Sequence, residues 1–222
     1  LNGSGFEFCA AAGDGRRSSS QGVGTFMKEE GRLARMRELA AQTAQLRKLV
    51  VEELGRKVLE MAAQMAAVIG AGGKILMAGN GGSAADASHF AGELIVRLSA
   101  ERKRQALPAM ALNADTVVIT AAANDFGYEN VFARQVEGLG NRGDMLLVIS
   151  TSGNSENLVR AVQCARERKM ITAGLLGGSG GKLGHMVDRT ITIPSSSTQH
   201  IQEEHIFIIH LLVDFIESDL FG

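Results

Sequence analysis

From residue 27 to about residue 69, apolar side chains recur at helical spacing: Leu33, Met36 and Leu39, then Leu54, Val58, Met61 and Met65. The pattern predicts two amphipathic helices forming an N-terminal extension. After Gly72 and Gly73 the rhythm changes. Short aliphatic runs at 74–77, 109–112, 145–149, 171–175 and 190–193 alternate with helix-length segments at 83–98, 128–139 and 155–168. Such alternation implies parallel strands joined by right-handed helical crossovers. The runs carry little polar alternation, as expected of strands covered on both faces. The expected fold is α/β: a three-layer αβα sandwich around a five-stranded parallel sheet, closed by a strongly amphipathic helix over about 198–219. Three regions follow: a flexible tail or cloning remnant at 1–26, the N-terminal helices at 27–70 and the α/β domain at 71–222.

Composition narrows the partners. In 222 residues, 45% hydrophobic and 5% aromatic, one core of small aliphatic side chains is sufficient. Twenty-three Lys and Arg against 24 Asp and Glu give a net charge of -1, which offers no field for nucleic acid or an anionic membrane. Cys9 and Cys164 lack metal spacing, and no apolar run approaches the roughly 20 residues a bilayer needs. Residues 1–26, a patchwork of Gly, Ser and Arg, show no apolar secretory segment. The expectation is a soluble protein in a reducing compartment with a small-molecule or protein partner.

In an open parallel sheet, ligands bind at the carboxyl ends of strands, where loops feed helix N-termini. After the first run comes Gly79-Asn80-Gly81-Gly82-Ser83, whose glycines admit an anion close to the backbone while Ser83 offers a hydroxyl. After the third comes Ser150-Thr151-Ser152-Gly153-Asn154-Ser155, with four hydroxyls. Neither loop is a dinucleotide fingerprint or a nucleotide P-loop, since GxGxxG and Gly-Lys-Ser/Thr are both absent there. Neutral donors at two helix starts suit a phosphate monoester. The first loop alone reads equally well as an ordinary capped turn.

His89 and Glu93, four residues apart on the helix after the first loop, share a face and can converge on one metal or substrate. In the last helix Gln202, Glu203, Glu204, His205 and His210 stand among Ile206, Ile208, Ile209, Leu211 and Leu212. These histidines are either hydrogen-bonded core residues or the remaining nitrogen donors of a zinc-like site.

The segments GNGGSAADASHFAGEL, NDFGYENVFARQVE, ISTSGNSENL and IQEEHIFIIH together resemble the phosphoheptose isomerases, a branch of the sugar isomerase (SIS) fold family. The resemblance runs from roughly residue 33 to residue 219. It implies conversion of sedoheptulose 7-phosphate to D-glycero-D-manno-heptose 7-phosphate, the entry to the heptoses of lipopolysaccharide, by a cytoplasmic homotetramer using zinc, one ion per subunit. Carried over, the metal ligands would be His89, Glu93, Gln202 and His210, with Glu93 and His210 also moving protons. Substrate and phosphate contacts would fall on Asn80, Ser83, Arg97, Asp115, Ser150, Thr151, Ser152, Ser155 and Gln202. Gln202 and His210 stand about 12 Å apart in rise on a straight helix, so His205, one turn from Gln202, is the alternative ligand. His200 stands where an Arg is common in the family, and Gln199 where some members have Asp. A non-catalytic relative on the same fold, of the replication-initiator-associating type, is a competing expectation, as is an isomerase of another sugar phosphate. The former lacks the Glu and the last His that are present here as Glu93 and His210.

Overall fold

The computed structural model describes residues 28–222, so the expected tail at 1–26 lies outside the described residues. The described residues fall into two units, one ending at Leu39 and one spanning Ala40–Gly222. Within the first, described residues open helix α1 (Glu29–Gly70), with Glu29 and Glu30 in its first turn and an Arg35–Glu38 ion pair at 2.7 Å. The two expected N-terminal helices are therefore one helix of 42 residues. No proline interrupts the stretch. Gly55, where the apolar stripe resumes, has open space around it and costs a helix only about 1 kcal/mol.

The second unit contains five strands, β1 (Ile75–Gly79), β2 (Ala109–Ala111), β3 (Met145–Ser150), β4 (Ile171–Gly177) and β5 (Arg189–Ile193). Between and after them come α2 (Gly82–Ile95), α3 (Thr116–Phe126), α4 (Val131–Leu139), α5 (Glu156–Glu167) and α6 (Thr198–Phe221). All pairings are parallel, in the order β2-β1-β3-β4-β5. The aliphatic runs thus fall on the expected strands. Helix α3 was not among the predicted segments. It starts because Asp115 caps it, accepting hydrogen bonds from Val117 N at 2.9 Å and Val118 N at 3.1 Å.

Successive strand residues face opposite sides, and both sides are apolar. Met145, Leu147 and Ile149 join a cluster with residues of α1 from Val50 onward, α2 and α6, whereas Leu146 and Val148 join one with α3, α4 and α5. This double burial is why the strands read as uninterrupted hydrophobic runs. The order places β3 beside β1 on the side away from β2, so the chain reverses its direction of progress across the sheet between them. A crevice opens at the carboxyl ends of strands at such a switch point.

Candidate active site

Strands β1 and β3 end together, with Gly79 opposite Ile149, so the two glycine- and serine-rich loops leave the sheet side by side. The first loop turns at once into α2. A Cβ on Gly79 would lie 2.3 Å from the Ser83 carbonyl oxygen, so only glycine allows this approach. The N-caps of α2 and α5 are Gly81 and Ser155, and neither donates or accepts a side-chain capping bond. Two helix N-termini therefore meet at one place with their positive ends free of side-chain caps.

The polar side chains of the loops divide into two groups. Ser150 Oγ accepts from Gly153 N at 3.0 Å and Ser152 Oγ from Asn154 N at 3.3 Å, which shapes the second loop. Among the described residues, the Thr151 and Ser155 hydroxyls have no hydrogen-bond partner. Ser83 is buried at the start of α2. Asn80 is held in a reciprocal amide pair: its Nδ2 donates to Asn157 Oδ1 at 3.0 Å, and Asn157 Nδ2 donates back to Asn80 Oδ1 at 2.9 Å. Tyr128 OH donates to the same Asn80 oxygen at 2.9 Å.

Farther along α2, His89 and Glu93 lie one turn apart with Nε2 and Oε1 separated by 3.5 Å. From α6, His210 brings its Nε2 to 3.0 Å from His89 Nε2, with the rings edge to face. Glu93 Oε2 is buried without a hydrogen-bond partner. The opposite ends of the sequence thus converge on three side chains of complementary chemistry: a carboxylate with an unused oxygen and two imidazoles.

Other expected residues stand apart from this group. The Gln202 carboxamide lies over the first turn of α2, where a Cβ on Gly82 would come within 2.2 Å of its Nε2. That turn is about 10 Å of helical rise from His89. His205 is fully buried, and its Nε2 bonds the Leu176 carbonyl at 3.1 Å. Burial drives its imidazole down to about 4, although the bond to Leu176 opposes this. His205 is a core histidine against β4, while His210 reaches His89. Asp115 is at the carboxyl end of β2, engaged as the cap of α3. Arg97 is exposed just beyond the far end of α2, about 20 Å in rise from Ser83, so one chain does not bring it to the phosphate loops.

The donor set suits zinc, which takes imidazole nitrogen and carboxylate oxygen. Two nitrogens on one tetrahedral zinc would lie about 3.3 Å apart, close to the separation of 3.0 Å seen here. As they stand, the imidazoles touch directly, and among the described residues no group of three or more His, Cys, Asp or Glu is arranged to hold a metal ion.

The SIS domain family profile matches residues 38–177. The chain is 49% identical to the phosphoheptose isomerase of Trichlorobacter lovleyi, over 77% of this chain and 86% of that one. It is 48% identical to that of Geobacter sulfurreducens, over 81% and 97%. The solved phosphoheptose isomerase of Francisella tularensis superposes with a TM-score of 0.81 at 38% identity, over 84% of this chain and 98% of that one. For that of Neisseria gonorrhoeae the TM-score is 0.78 at 39% identity, over 84% and 99%. This chain belongs to the phosphoheptose isomerases of the SIS-domain family. Its sheet and crossovers are those of the family, and it is an isomerase.

Within this phosphoheptose isomerase fold, sequence reasoning missed three residues. Asn157 and Tyr128, which fix Asn80, lie inside the recognised segments, but the spacing of an amide pair spanning 77 positions leaves no local signal. Asp86, three residues before His89, has a buried Oδ2 without a partner. Burial pushes its carboxyl up to about 6, against the pull of His89.

The glycine-rich turn after β4 buttresses the second loop. Lys182 N donates to Asn154 Oδ1 at 3.0 Å and Leu183 N to the Gly153 carbonyl at 3.0 Å. Gly181 has φ +54, and a Cβ there would lie 2.5 Å from the Ser152 carbonyl oxygen. Gly181→Ala is expected to push this loop out of place and weaken sugar-phosphate binding about tenfold, read by calorimetry. Wild-type affinity would refute the buttress.

His205 has a stability consequence. Its folded value of about 4 lies below the ordinary 6.5, so the unfolded chain takes up the proton first. Stability present above 6.5 is therefore lost as pH falls toward 4. Asp86, raised from 3.8 to about 6, acts in the opposite sense over most of that window, so variant and wild type must be compared directly. His205→Gln keeps a donor for Leu176 and is expected to lose less stability on acidification than wild type, measured by urea unfolding between pH 7 and about 4.

Proposed function

We propose that the protein interconverts sedoheptulose 7-phosphate and D-glycero-D-manno-heptose 7-phosphate in the cytoplasm, supplying heptose for lipopolysaccharide. The observation that carries this reading is the convergence of His89, Glu93 and His210 along a helix whose N-terminus opens beside a hydroxyl-rich loop. A sugar phosphate needs both ends: a grip on its anionic tail and acid–base groups at its carbonyl end.

In the proposed mechanism, the phosphate sits between the starts of α2 and α5, with Ser83, Thr151 and Ser155 as hydroxyl donors and Ser150 and Ser152 shaping the loop. Asn80 binds the sugar from its fixed position. Glu93, with an oxygen free of partners, moves the carbon-bound proton between C1 and C2 through an enediol. His210 exchanges protons with the sugar oxygens. His89, Glu93 and His210 would hold zinc, which would supply Lewis-acid polarisation of the sugar oxygens, while Gln202, over the first turn of α2, is left to contact the substrate. Arg97, projecting from the far end of α2, is left to serve a neighbouring copy's substrate.

The discriminating assay is incubation with sedoheptulose 7-phosphate and detection of the aldose, alongside metal analysis of the purified chain, expected to find about one zinc per chain. A folded Glu93→Gln protein should bind the sugar phosphate and lose at least about a hundredfold in turnover. Full turnover in that variant would remove Glu93 from the role.

A homotetramer is part of the same proposal. Between α1 and α6 runs a wholly apolar groove of about 270 Å³, lined by Val50, Val51, Leu59, Phe207, Leu211 and Phe215. Val51 is 53% and Leu59 54% exposed, an arrangement that a second copy of the chain would cover. Light scattering is expected to give a tetramer mass, and Val51→Glu with Leu59→Glu to reduce it; a monomeric wild type would refute it.

A further inference from the structure

Between α2 and β2 lies a guanidinium that neither phosphate binding nor proton transfer uses. The Arg104 side chain is 0% exposed and that of its partner Glu217, near the end of α6, is 2% exposed. Arg104 Nε donates to Glu217 Oε1 at 2.6 Å. Its Nη1 donates to the Leu94 carbonyl at 2.8 Å and the Gln105 carbonyl at 2.9 Å, and its Nη2 to the Glu93 carbonyl at 2.7 Å.

Two of these acceptors, the Glu93 and Leu94 carbonyls, have a common origin. The last turn of a helix leaves carbonyls without intrahelical donors, and the helix dipole concentrates negative charge there. α2 ends at Ile95, so the Glu93 and Leu94 carbonyls are of this kind, and a planar fork of donors reaches both at once. Glu217 supplies the opposite charge that a buried guanidinium requires. It stands seven residues after His210, two turns along the same face of α6. One side chain therefore ties the backbone of Glu93 to the helix that carries His210. Outside it, Arg102 donates to the Asp214 carbonyl at 3.0 Å and lies 3.7 Å from Glu217 Oε2, holding the same loop to α6.

We propose that Arg104, seated on Glu217, is a positioning residue that sets the separation of α2 and α6 and so brings His89 and Glu93 to His210. Its leverage is direct, because one of its acceptors is the carbonyl of the residue whose carboxylate faces His89. Lysine at this position keeps the charge opposite Glu217 but places all its donors on one nitrogen, which does not span the Glu93, Leu94 and Gln105 carbonyls as well.

The test is Arg104→Lys in the full chain as purified, assayed well below its thermal midpoint, with Arg134→Ala at the exposed Arg134–Glu137 pair as control. The expected result is a fall in kcat of at least about tenfold with KM within about twofold of wild type, since misplacement affects the chemistry more than the grip on the phosphate. The ring 15N signals of His89 and His210 should move in the same variant. Unchanged kcat and ring signals in a folded Arg104→Lys protein, whatever its loss of thermal stability, would overturn the proposal. If that variant does not fold, Glu217→Gln, which keeps an acceptor for Nε, is expected to lower kcat about threefold and shift the ring signals; wild-type values for both overturn it equally. The turnover measurement rests on the isomerase reading and the ring signals do not. A wild-type chain that fails to isomerise the sugar phosphate counts against that reading, and the ring signals then decide the role of Arg104.

Discussion

With Gly79 opposite Ile149, strands β1 and β3 end at one height, and two helices begin beside each other over the same gap in the sheet. Parallel pairing imposes this. Each strand must be followed by a crossover, and where consecutive crossovers run to opposite sides, nothing covers the strand ends between them. The Asn80–Asn157 amide pair spans that gap and holds the two loops in register.

Helix α2 then carries the gap's chemistry outward. Its first turn abuts Gln202 and its third and fourth turns present His89 and Glu93, while its last carbonyls are taken by Arg104. A substrate with an anion at one end and a carbonyl at the other matches this layout, because helix rise fixes the distance between the two groups. The partners on α6 arrive from more than 100 positions later in the chain, held there by the apolar stripe of Ile201, Ile208, Leu212 and Ile216 on the sheet.

Two histidines five residues apart show how burial sorts identical side chains. His205 faces β4, donates a hydrogen bond to a carbonyl and is kept neutral by the core. His210 is half-buried and meets His89. The first is part of packing and the second is available for chemistry, although both sit within one apolar run.

By itself the sequence determined the strand positions, the two loops and the candidate donors His89, Glu93 and His210, because hydrophobic runs, glycine clusters and i, i+4 spacing are local properties of the chain. The continuity of α1 escaped it, since a gap in an apolar stripe looks like a break when no neighbour shows what the helix lies against. Folding alone decided that His205 points into the core, against Leu176 of β4. It also chose Arg104, an ordinary member of a basic stretch, to bind the end of α2 to α6. The placements of His205 and Arg104 depend on pairings across 29 and 113 positions, which only the stacking of helices on a twisted sheet can fix.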